Sequence, residues 1–334
     1  MAISFESDSG KVILDGALQG RVLAELDGET IHRFDRELAA RPSPTEFNNI
    51  GGNSLWPAPE GGAFAFNYLE KEWLVQPGVN TAISAERTLA NGALYCERLV
   101  PLANRRGARF EVAFRRKVAP LPLADLLRGT GVSGVGYREE DELAFTEPQS
   151  PDSAIIGAWS LEQFPKTPKA TAFGRAGSGD ARAAVNSDYY ADPFPVMTFN
   201  GADFTFRLGG NERIQIGLSD SRKCEFIGAL VPERDLLILR RTPHQEDGRY
   251  FNIADNEQPG GVWSASDQYS IFNGADMGFF ELETIAPAKF ANGMVTGSEL
   301  VSETMIFRGP EEALCKMLEE HFGFVFNQLQ NREG

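Results

Sequence analysis

The sequence predicts an all-β protein of antiparallel strands, and three observations carry the prediction. Apolar and polar residues alternate at period two, turn dipeptides recur from end to end, and only one segment has a convincing helical period. In chain order, Asp27-Gly28 marks a first turn and Asn91-Gly92 a second. Between Glu86 and Val118 the pattern suits long paired strands; there Phe110, Val112 and Phe114 alternate with Arg109, Glu111 and Arg115. A short helical turn is expected around Leu123 to Leu127, and a strand at Ile155 to Phe164 within the irregular stretch from Pro148 to Asp192. Phe204, Phe206 and Leu208, then Ile214, Ile216 and Leu218, flank Gly209-Gly210-Asn211, which reads as a hairpin over 203–218. Further turn signals stand at Asn200-Gly201, Asp247-Gly248, Asn273-Gly274 and Asn292-Gly293. The helix begins at Gly309-Pro310-Glu311-Glu312, repeats Leu314, Met317, Leu318 and His321, and stops at Gly323. Its apolar stripe is expected to pack on the outside of a sheet. No composition shift splits residues 1–334, so one domain is expected.

Charge narrows the partners. Lys and Arg number 32 against 47 Asp and Glu, a net of −15, which repels phosphate backbones and anionic lipid. Nucleic-acid and membrane partners are therefore not expected, and a neutral small molecule fits the balance better. Cys96, Cys224 and Cys315 are far apart and odd in number, as in a reducing compartment without a disulfide framework. The first residues, MAISFESDSG, lack a basic and then apolar leader, so a cytoplasmic location is expected. No glycine-rich phosphate loop stands between a strand and a helix, and Asp35, Asp203 and Asp276 lie in no acid-dense loop. No cofactor and no metal is expected.

Glu281 and Glu283 lie two apart in a strand pattern, so they share a face while Phe280 and Leu282 point into the core. Their origins are then roughly 6.5–7 Å apart. Two such carboxyls serve as acid and base where their surroundings part their pKa values; otherwise they are a solvated pair. His244 can move protons near neutrality, or is a surface histidine of a Pro-rich loop. Trp56 and Glu60 sit in a glycine- and proline-rich segment, where an indole can stack on a sugar and a carboxylate can bind hydroxyls; Trp56 can equally be a core plug. Trp159 and Trp263 are further stacking candidates, and Arg98, Asn104 and Lys223 are candidate donors or strand-end polar residues.

Gly51-Gly52-Asn53-Ser54-Leu55-Trp56-Pro57-Ala58-Pro59-Glu60-Gly61-Gly62, followed by Ala158 to Gln163, Phe279 to Pro287 and Glu299 to Phe307, resembles uncharacterised bacterial members of the galactose-mutarotase-like (aldose 1-epimerase-like) superfamily. The resemblance implies a large antiparallel β-supersandwich with a concave sheet that holds a mono- or oligosaccharide. It also implies a catalytic carboxylate near the last strand, which favours Glu283. Aldose 1-epimerases of that superfamily use two histidines with a carboxylate. This chain has only His32, His244 and His321, and the helical and hairpin settings of His321 and His32 leave His244 alone near a concave face. The expected function is therefore sugar binding, with epimerase or other carbohydrate chemistry carried by carboxylates, or binding or scaffolding without turnover.

Overall fold

The computed structural model describes residues 2–69, 72–177, 179–218, 223–245, 248–254, 260–264 and 267–326. Among these residues two large antiparallel sheets face each other. The ten-stranded sheet runs Ile3–Ser7, Gly10–Asp15, Arg21–Leu26, Asn53–Ala58, Gly157–Pro165, Phe279–Ile285, Tyr269–Asn273, Ile214–Leu218 and Val185–Asn186, with Glu29–Thr30 beside the third strand. The eleven-stranded sheet runs Met197–Asn200, Asp203–Arg207, Thr171–Arg175, Phe226–Val231, Leu236–Arg241, Met294–Arg308, Ser133–Gln149, Arg109–Pro120, Leu94–Ala103 and Ala85–Thr88, with Ala288–Ala291 beside Met294–Arg308.

Alternation decides which residues meet between the sheets. Phe280 and Leu282 point inward and join Phe164, Ile216, Ile271, Ile238 and Ile306 in one apolar cluster. A second cluster holds Phe114, Leu143, Phe145 and Ala158. Between the two clusters, on the same inward-facing positions, lie Arg116, Glu139, Asp141, Ser160, Glu162 and Arg240, each almost wholly buried. Glu311–Phe322 lies across the outside of the eleven-stranded sheet. Its Leu314, Met317 and Leu318 pack on Phe173, Leu237, Leu239, Met305 and Phe307. Gly323 caps it in the left-handed region at φ 66°, its N–H donating to Glu319 O. The turn expected near Leu123 is helical over Ala124–Leu127, and the strand expected from Ile155 runs Gly157–Pro165.

The hairpin expected over 203–218 does not form. Asp203–Arg207 pairs with Met197–Asn200 and Thr171–Arg175, whereas Ile214–Leu218 pairs with Tyr269–Asn273 in the opposite sheet. Leu208 is buried and Gly209 passes so close to Pro168 that a Cβ would lie 1.9 Å from its carbonyl oxygen, so the segment crosses between sheets instead of turning back. Period two told which residues face inward; it carried no information on which strand lies alongside. Asp247 of the Asp247-Gly248 signal lies outside the described residues.

Candidate functional site

The outer face of the ten-stranded sheet carries a cavity of about 470 Å³. Its floor is written by strand register. Trp159 stands opposite Trp56, Leu161 opposite Glu283, and Gln163 opposite Glu281. On the other flank Ser270 faces Glu283 and Phe272 faces Glu281. Side chains two apart on one strand share a face, so these positions deliver Trp56, Trp159, Gln163, Glu281 and Glu283 to one surface. Loops roof it with Phe47, Glu60 and Trp73. Trp56 meets Trp159 edge-on at 6.3 Å and Phe47 at 5.6 Å, and Phe47 meets Trp73 at 5.3 Å.

Two carboxyls dominate the floor. Glu283 is fully buried; its Oε2 accepts from Trp159 Nε1 at 3.0 Å and more weakly from Gln215 Nε2 at 3.5 Å, while its Oε1 has no hydrogen-bond partner. Glu281 Oε1 accepts from Gln163 Nε2 at 2.7 Å, and Gln163 Oε1 in turn accepts from Arg33 Nη1 at 3.1 Å. The Glu281 carboxyl is also within hydrogen-bonding reach of Glu283. Burial pushes Glu281 up to about 7, against the bond from Gln163 and the nearness of the Glu283 carboxyl. Burial, then the charge of Glu281, holds Glu283 well above the usual carboxylate range. Near neutral pH the pair therefore retains a proton that two exposed glutamates would release, and that proton belongs to the pair. The arrangement can give a proton from one carboxyl and take one at the other. Glu60, across the cavity, accepts from Trp73 Nε1 at 2.7 Å.

Of the residues singled out from sequence, Trp56, Glu60, Trp159, Glu281 and Glu283 line this cavity. The others do not. Arg98 is buried with its guanidinium over the Phe114 ring and Nη1 donating to Gln19 O and to Ser84 Oγ at 3.1 Å. Asn104 closes a turn, accepting from Ala108 N–H and donating to Ser153 O. Lys223 is exposed at φ 51°. Trp263 packs on Phe251 at 4.8 Å, beside the short pair Tyr250–Phe251 and Trp263–Ser264. His244 follows Leu236–Arg241, a strand of the opposite sheet, and does not line the cavity. His32 is buried between the sheets, accepting from Ala24 N–H at Nδ1 and bonded to Glu162 Oε1 through Nε2 at 2.8 Å.

The sequence reading passed over Trp73, Gln163, Gln215, Arg21 and Arg213, all of which line the cavity. Gln163 and Gln215 did leave a signal, a polar residue in an otherwise apolar strand, which reads the same whether the polar face meets solvent or a pocket. Trp73 left none beyond its proximity to Gly61-Gly62.

The model of a family of unknown function, DUF6786, matches residues 1–332. The chain belongs to this family. Among solved structures, a galactose mutarotase-like protein from Lactobacillus casei ATCC 334 superposes with a TM-score of 0.51 at 8% identity, over 92% of this chain and 100% of that one. A galactose mutarotase related enzyme from Lactobacillus acidophilus superposes with a TM-score of 0.50 at 10% identity, over 92% and 97% of the two chains. No curated protein matches the sequence. This DUF6786 member thus has the galactose-mutarotase-like fold, a large antiparallel supersandwich with one long helix. Among its described residues, no helix is long and apolar enough to cross a membrane.

Proposed function

We propose that the cavity binds a carbohydrate ring and that Glu283 and Glu281 exchange protons with it, in an epimerase-like isomerisation at the anomeric carbon. The observation that carries the reading is one surface bearing both a buried pair of carboxyls and three of the chain's four tryptophans. Indole and phenyl rings suit the apolar face of a pyranose, and a cavity of about 470 Å³ suits a small saccharide. Two solved structures that share the fold are a galactose mutarotase-like protein and a galactose mutarotase related enzyme.

In this reading Glu281, whose pKa near 7 leaves much of it ionised, takes the proton of the anomeric hydroxyl. The C1–O1 bond becomes a carbonyl, the bond from C1 to the ring oxygen breaks, and protonated Glu283 gives its proton to that oxygen. Rotation about C1–C2 and the reverse transfers close the other anomer and restore both carboxyls. Carboxylates carry both roles, since His32 is engaged between the sheets and His244 lies off the cavity. A thermal-shift and tryptophan-fluorescence screen against monosaccharides and short oligosaccharides tests binding, because a ligand of the folded state raises its apparent stability. Anomer exchange followed by NMR tests turnover. A sugar that binds but interconverts no faster than in buffer would leave a binding protein of the same fold.

A further inference from the structure

We propose that Arg21 recognises an anionic substituent, so that the cavity's ligand is a sugar carrying a carboxylate or a phosphate; this rests on the carbohydrate reading above. Arg21 lines the cavity and is only 6% exposed. Among the described residues it has no carboxylate partner. Nη1 donates to Gly51 O at 2.6 Å, Nη2 makes only a limiting 3.5 Å contact with Asn48 O, and Nε has no partner. Gly51 reaches it because it adopts φ 94° where a Cβ would meet Arg33 O at 2.1 Å, so no other residue brings that carbonyl so close without strain.

The surroundings of Arg21 are of its own sign. Arg98, Arg116 and Arg33 all act on it electrostatically. Arg116 is fully paired by Glu139 and Asp141, at 2.6 and 2.8 Å, and contributes its charge to that pair. Burial, then these cations, pulls Arg21 down to about 9. Glu281 lies within electrostatic range on the cavity floor but makes no bond to Arg21. A second cation, Arg213, stands at the exposed rim, its Nη2 donating to Tyr190 OH at 2.7 Å over the Tyr190 ring. A buried guanidinium without a counter-charge is costly, and it lies here on a cavity wall, where a ligand's anion can supply the charge. The net charge of −15 made a neutral ligand the expectation; exposed charges are screened beyond about 8 Å at physiological salt, so local cations on the cavity wall decide the matter instead.

The test is calorimetric titration of the full-length wild type with glucuronate, galacturonate, glucose 6-phosphate, glucose and galactose. At least one anionic sugar should bind roughly 10- to 100-fold tighter than its neutral parent, as expected of a charge-assisted contact. Preference for a uronate identifies a carboxylate ligand, and preference for the 6-phosphate a phosphate ligand. Arg21→Gln should erase the preference and leave the neutral parent within a few-fold; Arg21→Lys should retain part of it. Equal binding of charged and neutral sugars by the wild type overturns the anion proposal while the carbohydrate reading stands, and needs no variant. A preference that survives in folded Arg21→Gln overturns it as well. Failure of every sugar in the panel removes both.

Discussion

Two neighbouring strands, Gly157–Pro165 and Phe279–Ile285, carry buried acids on opposite faces, and the two faces solve burial differently. On the inner face Glu162 accepts from Arg240 Nη1 and Tyr137 OH, from Thr304 Oγ1 at 2.8 Å, and bonds His32. Burial alone would raise its carboxyl, but Arg240 and the bonds from His32 and Tyr137 bring it down to about 2. Arg240 also donates to Ser160 and Glu139, and Arg116 to Glu139, Asp141 and Asn53. Even there burial pushes Glu139 up to about 7, with Arg116 and Arg240 pulling the other way. On the outer face Glu281 and Glu283 are also buried, but among the described residues no cation bonds either of them. Burial by itself does not mark a functional acid. Burial without a bonded counter-charge, at the wall of a cavity, is what singles out Glu281 and Glu283 as the proposed site.

The largest expected effect tests the inner face. Arg240→Ala strips Glu162 and Glu139 of a shared partner, and a broken buried ion pair costs about 3–5 kcal/mol. Urea denaturation should show a loss of that size or no folded protein at all; a loss below about 1 kcal/mol would mean that the inner acids are no better supported than the outer ones. Next comes the outer face. Glu283→Gln replaces a buried, largely protonated carboxyl by a neutral group of the same shape, so stability should hold or rise. Anomer exchange should fall at least about 10²-fold, the lower end of what a positioned acid contributes. Unchanged exchange with a bound sugar would take the chemistry away from this pair.

Titration separates the faces further. The folded value of Glu281, about 7, lies above its ordinary 4.5, so the native state holds that proton more tightly. Its stability contribution is full below about pH 4.5 and is lost as pH rises through about 7. Glu162 has the opposite sign: at about 2 it contributes above pH 4.5 and loses that contribution as pH falls toward 2. The stability of wild type relative to Glu281→Gln should therefore drop by roughly 2–3 kcal/mol between pH 5 and pH 8. A flat difference would show that Glu281 is an ordinary ionised glutamate.

Much of the outer face was legible in the residues. Glu281 and Glu283 share a side because strands alternate, and the glycine-rich segment around Trp56 and Glu60 does meet the same cavity. The inner face was not legible. Neither Arg116 nor Arg240 stood out, since nothing in a period-two pattern tells a solvated cation from one sealed between sheets by an acid far along the chain. That Arg98 lies off the cavity went unseen for the same reason, and that Trp263 lies off it because a two-residue strand is too short to show a period. The crossing at Leu208–Arg213 was hidden because both apolar sets belong to one core, approached from opposite sheets. Pairing partners depend on long-range topology, which local alternation does not encode.

The smallest effect probes the roof of the outer site. Trp73 is 36% exposed, meets Phe47 edge-on and gives its indole N–H to Glu60 at 2.7 Å. Trp73→Phe keeps an aromatic surface and removes that one charge-assisted bond, while leaving the floor carboxyls untouched. If Glu60 is oriented toward ligand hydroxyls by the indole, sugar affinity should weaken by about 3- to 10-fold with the rate on bound sugar unchanged, since such a bond is worth about 1 kcal/mol or slightly more. If affinity is unchanged but thermal stability falls, the bond only pins the loop. If the rate on bound sugar falls instead, Glu60 belongs with Glu281 and Glu283 among the groups that move protons, and the outer face holds three working acids against an inner face that holds none.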